Sequence, residues 1–133
     1  MTTSPIPLRL IAVAIIAGLL YRLHPVALGM PALAETFLTE DGYLMLTVAR
    51  NMAIGLGMTV SDGTIATNGV QPMATFLFTI PYLLTDGDKV AGLVGVHLIL
   101  AVIALAGVFA VKALAARLLR DQDAGALLPW LVG

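Results

Sequence analysis

Cysteine is absent from the 133 residues, charge is scarce and aromatic side chains are few. Without cysteine there is no disulfide and no thiolate metal site, and the redox compartment stays undetermined. Lysine and arginine number 7 against 8 aspartates and glutamates, a formal net charge of −1. No basic field therefore points to nucleic acid. Charged residues make up 11% of the chain and hydrophobic residues 59%, with a mean hydropathy of +0.99. A soluble globular domain carries about 25% charged and about 45–50% apolar residues. The balance excludes an ordinary soluble domain and predicts an all-α, polytopic helical membrane protein. Internal repeats and low-complexity tracts are missing too.

What is present is a succession of apolar segments, read as one membrane segment over 1–133. The first span falls at 7–30. Arg9 precedes an uncharged run over 10–21, which is short for the ~20 residues a span needs. Arg22 and His24 complete the length, because arginine can snorkel to the interface and histidine can be neutral. A secretory signal would need a small-x-small cleavage site close behind. Ala32-Leu33-Ala34 fits loosely, but Arg22, His24 and Pro25 intervene, so the segment reads as a retained helix.

A polar connection follows over 31–70. It holds Glu35, Glu40, Asp41 and Asp62 against a single arginine, Arg50. Within it the spacing predicts an interfacial helix over 41–56. Leu44, Val48 and Met52 recur every fourth residue, while Tyr43, Thr47 and Arg50 share another face. Thr39 is the expected N-cap, with both carboxylates in the first turn, where the helix dipole favours anions. Gly55 and Gly57 end the helix. Ser61-Asp62-Gly63 and Asn68-Gly69 are turn signals.

The next segment, 70–85, is a short span or a re-entrant piece, with Pro72 at its start and Pro81 inside, where a kink is expected. Asp86-Gly87-Asp88 closes it. A span over 90–112 is interrupted only by His97. After Lys112, Arg117 and Arg120, an apolar run over 124–133 reads as the start of a further span. That broken run leads to the expectation that the chain is the N-terminal part of a longer protein. Three crossings from a cytoplasmic N-terminus would put Lys112, Arg117 and Arg120 outside, against the positive-inside rule. A re-entrant 70–85 removes the conflict.

The order of these features resembles the start of GT-C superfamily glycosyltransferases. The residues that carry the likeness are Arg22-Leu23 at the end of the first helix and Glu40-Asp41-Gly42-Tyr43 opening the loop. Ala49-Arg50-Asn51-Met52-Ala53-Ile54-Gly55-Leu56-Gly57 and Thr67-Asn68-Gly69-Val70-Gln71-Pro72 follow. The likeness covers about residues 10–120 and only the beginning of such an enzyme. Two departures stand out: the acidic pair is Glu-Asp where Asp-Asp or Asp-Glu is commoner, and Gln71 stands where many relatives carry histidine. The resemblance implies a multi-pass enzyme of the bacterial cytoplasmic membrane. It would move a sugar from a polyprenyl-phosphate donor to a glycan, lipid or protein acceptor at the extracytoplasmic face. The 133 residues alone are expected to be inactive.

Transfer from a lipid phosphate needs a base for the acceptor proton, and neighbouring carboxylates can shift each other's pKa towards that task. By the resemblance the principal acid is Asp41, with Glu40 as partner or substitute; a cap and a solvated acid is the plainer alternative. Some members of the superfamily use a divalent metal here, and oxygen ligands would suit magnesium or manganese. Asp41 and Glu40 are the only ligands in view. Arg50 and Arg22 are candidates for the donor's phosphate, since arginine offers a fork of donors. Both also read as interfacial arginines. Thr67 and Asn68 are candidates for shaping a substrate loop. His24 and His97, isolated on apolar segments, read as packed or hydrogen-bonded. A rival from another class is a small non-enzymatic membrane protein, an assembly or transporter subunit, whose acidic loop docks a partner.

Overall fold

The computed structural model describes residues 8–36, 38–67 and 69–118, and every structural statement below concerns those residues. They form five helices and no strand: α1 (Leu8–Leu28), α2 (Ala32–Glu35), α3 (Glu40–Ala53), α4 (Pro72–Leu84) and α5 (Lys89–Leu118). Two of them are long and apolar enough to cross a membrane, over Arg9–Leu28 and Lys89–Arg117. Their side chains are mostly uncovered by protein, with 6% and 17% of the most apolar stretch buried. The expected helix over 124–133 lies outside the described residues.

The chain forms two compact units. Of the described residues, one unit takes 8–23 and 100–118, the outer parts of α1 and α5. The other is His24–Ile99, which holds the end of α1, all of α2, α3 and α4, and the start of α5.

In the second unit α3 starts and stops where local chemistry requires. Thr39 has extended backbone and its Oγ1 accepts from the Gly42 amide at 3.3 Å, with Glu40 and Asp41 in the first turn. At the other end Gly55 has φ +84°. Its amide donates to the Met52 carbonyl (3.2 Å), and the Leu56 amide donates to the Asn51 carbonyl (2.9 Å). This is the Schellman closure, which needs the left-handed backbone that glycine adopts without strain. The helix over 41–56 thus resolves into Glu40–Ala53 with its glycine terminator.

α4 runs through Pro81 without ending, and its hydroxyls bond backward within the helix. Thr75 Oγ1 donates to the Gln71 carbonyl (2.9 Å), Thr79 Oγ1 to that of Thr75 (2.9 Å) and Thr85 Oγ1 to that of Pro81 (2.8 Å). After α4 the turn passes through Asp86 (φ +50°) and Gly87 (φ +75°). Asp88 then caps α5, accepting from the Ala91 amide at 2.7 Å. A Cβ at Gly92 would overlap the Tyr82 ring, and one at Gly95 would overlap Pro81, so α4 and the first turns of α5 touch backbone to side chain. α5 begins at Lys89 and continues through Lys112 and Arg117. It outruns the hydropathy boundary at 112 because alanine, leucine, lysine and arginine are all good helix formers.

Candidate functional site

α3 faces a cleft of about 330 Å³ inside the second unit. Tyr43, Leu46, Thr47, Arg50 and Asn51 line it from α3. Met30 and Ala34 come from the segment before, Tyr82 from α4, and Lys89, Val90 and Leu93 from α5. The Tyr43–Thr47–Arg50 face read from the helical spacing is therefore the face turned to the cleft.

Each polar group has a local reason for its position. The Tyr43 hydroxyl donates to the Ala34 carbonyl, tying α3 to α2. Thr47 Oγ1 donates to the Tyr43 carbonyl at 2.9 Å. Arg50 Nε donates to the Gly87 carbonyl at 2.7 Å, which holds the α4–α5 turn beside α3. That bond occupies one of the guanidinium's five N–H groups; the others lie on its two Nη atoms. Asn51 is buried, and its Nδ2 donates to the carbonyls of Thr59 (2.9 Å) and Ser61 (3.2 Å). Two acceptors on Nδ2 fix the amide's orientation and leave Oδ1 as its acceptor. Thr59, itself buried, donates from Oγ1 to the Ile65 carbonyl (2.6 Å) and accepts from the Ser61 amide (3.2 Å). This network folds the chain after α3 back onto the helix.

Among the described residues the cleft's ionic groups are all cationic: Arg50 and Lys89 line it, and no carboxylate does. Burial raises the Tyr82 hydroxyl above its ordinary pKa, against a smaller opposing pull from Arg50. Phenol, amide and hydroxyl groups beside two cations suit an anion that also carries hydroxyls.

The acidic pair stands apart. Glu40 and Asp41 are both exposed and neither lines the cleft. Helix geometry places them on different sides of α3. At about 100° per residue Asp41 lies about 180° around α3 from Arg50, whereas Glu40 lies about 80° away, on the side of Tyr43 and Thr47. Both are about 14–15 Å from Arg50 along the axis. Arg22, on α1, belongs to the other unit. Thr67 is half-buried away from the cleft, with its amide on the Met58 carbonyl (2.8 Å) and its Oγ1 accepting from Gly69 (3.3 Å). Asn68 lies outside the described residues. No cluster of three or more histidine, aspartate or glutamate side chains forms among the described residues. Glu40 and Asp41 alone do not make a magnesium or manganese ligand set.

Sequence reasoning missed Lys89, Tyr82 and Asn51 as cleft residues. Lys89 had a signal, as a lone cation between two apolar segments. Asn51 had another, as a polar residue amid the buried positions of α3. His97 is buried, with Nδ1 3.0 Å from the Leu93 carbonyl. Asp62 Oδ1 accepts from the Thr64 hydroxyl (2.6 Å) and amide (3.1 Å), which hold its carboxyl below the usual value and build the expected turn. No protein-family model, curated protein or solved structure matches this chain.

Proposed function

We propose that this chain is the donor-binding, N-terminal part of a GT-C-like membrane glycosyltransferase. Its donor is a sugar on a polyprenyl phosphate, and its acceptor is a glycan, lipid or protein at the extracytoplasmic face of a bacterial membrane. The observation that carries the reading is the cationic cleft on α3, one face of a helix whose first turn holds two carboxylates, in a chain with two membrane-length helices. In this reading Arg50 and Lys89 hold the phosphate that becomes the leaving group. The acceptor hydroxyl oxygen bonds to the anomeric carbon, the bond from that carbon to the phosphate oxygen breaks, and a carboxylate takes the hydroxyl proton, which requires the sugar and the acceptor to lie along α3 between Arg50 and the first turn. The resemblance favours Asp41 for that proton; the register of α3 favours Glu40, which shares the side of Tyr43 and Thr47.

The test uses the full-length protein in membranes with a labelled polyprenyl-phosphate sugar. Asp41→Asn and Glu40→Gln are compared at equal expression. Loss of general-base catalysis costs about 10²–10⁴-fold in rate. A loss of that size in one variant names the base. Near-normal transfer by both variants sinks the assignment.

A second reading is a non-enzymatic membrane subunit. The exposure of Glu40 and Asp41, clear of the cleft, favours it, because exposed acids suit a docking surface. Such a subunit would show no polyprenyl-phosphate-dependent labelling of any acceptor.

A further inference from the structure

We propose that α4 does not cross the membrane: it lies half-embedded in one leaflet, with its outer face against lipid acyl chains. The described chain then crosses twice, through α1 and α5.

Length is the first argument. α4 has 13 residues, about 20 Å, against a hydrocarbon core of about 30 Å. Its polarity is the second. Thr75, Thr79 and Tyr82 are buried against protein, whereas Met73, Phe76, Ile80 and Leu83 point outward at intervals of three and four. Met73 is 89% exposed and Leu84 81%. A helix in water carries the reverse pattern, and no charged residue relieves this face.

The third argument is where α4 ends. The turn after it is bonded to α3 through Arg50 Nε and the Gly87 carbonyl, at 2.7 Å. A crossing helix would carry that turn away from α3 by a membrane thickness, about 30 Å. With α3 lying at the interface, the bond keeps the end of α4 on the same side as α3.

The fourth argument identifies what covers the outer face. Gly92 and Gly95 admit Tyr82 and Pro81 so closely that neither glycine has room for a Cβ. α4 therefore leans on the first turns of α5, the more apolar of the two candidate spans, where Val90 and Leu98 are themselves exposed. The bilayer that covers α5 at that depth covers α4 as well. With two crossings, Arg9, Lys112 and Arg117 fall on one face and Arg22, Arg50 and Lys89 on the other, three against three, so the positive-inside rule does not by itself distinguish the faces.

The absence of cysteine makes the test direct. Single-cysteine variants Ala66→Cys, Lys89→Cys and Arg117→Cys of the full protein are treated, in sealed membranes, with a maleimide that cannot cross. Cysteines at 66 and 89 should label from one side and that at 117 only from the other. Labelling at 89 from the side opposite to 66, or at 117 from the same side as 66, overturns the proposal. Nitroxides are then attached to Met73→Cys and Ile80→Cys. Their collisions with oxygen should exceed those with a water-soluble nickel chelate, as for Val102→Cys on α5. Chelate collisions matching those at Ala66→Cys would remove lipid as the occupant.

Discussion

The two units of the chain have the same kind of backbone and opposite sources of order. In His24–Ile99 the interior includes hydroxyls and an amide: Asn51, Thr59, Thr75 and Thr79 are buried beside Leu33, Val48 and Val96. In the unit formed by 8–23 and 100–118, only Ala101 and Ala115 are buried among the described side chains. The first is held by hydrogen bonds and contacts that the chain makes with itself. The second leaves most of its apolar surface to its surroundings. Burial inside the protein is thus a poor guide to which residues avoid water here, and substitutions should act differently in the two units.

Asn51→Ala should have the largest effect. It leaves the buried Thr59 carbonyl without its donor, and a buried unsatisfied group costs about 1–3 kcal/mol, while the carbonyl of exposed Ser61 can turn to water. Hydrogen exchange over residues 57–67 should accelerate while α1 is unchanged; equal acceleration in α1 would erase the distinction between the units. Gly92→Leu against Gly107→Leu comes next. The first forces a side chain into the Tyr82 ring, and overpacking costs about 1–3 kcal/mol. The second has no atom within 4 Å of its Cβ position and should leave the unfolding midpoint in detergent unchanged. Thr39→Ala removes the α3 cap and should cost about 1 kcal/mol, read as fraying of the first turn, including Glu40 and Asp41.

The smallest effect is pH-dependent. Burial raises the Tyr82 pKa above its unfolded value of about 10. The stability this contributes is complete below pH ~10 and is lost as pH rises through the folded value. Tyr82→Phe should flatten that alkaline loss, measured as the change in unfolding midpoint between pH 8 and pH 11. A variant that loses stability as steeply as the parent would assign the loss elsewhere.

What the sequence made legible was local. Thr39, the two carboxylates and Gly55 mark α3 because caps and terminators act within one turn. Asp86-Gly87-Asp88 marks the turn for the same reason, and the 3.6-residue period exposes the Tyr43–Thr47–Arg50 face. The convergence of Arg50 with Lys89 and Tyr82 was hidden, since it depends on how α4 and α5 fold back over a separation of more than 30 residues. α4 was ambiguous because apolar composition alone cannot tell a short span from a helix lying in one leaflet. The placement of Asn51 against Thr59 and Ser61 was hidden as well, since that loop has no periodicity to read.

The threonines of α4 return to the order in which such a protein is built. Each of their hydroxyls makes a bond that closes within four residues along the chain. These bonds can form as soon as that stretch leaves the ribosome and enters the lipid, before α5 exists. α4 can therefore have its threonine hydroxyls satisfied before its later neighbours arrive. The later arrival of Gly92 and Gly95 then settles its position and need not rescue it.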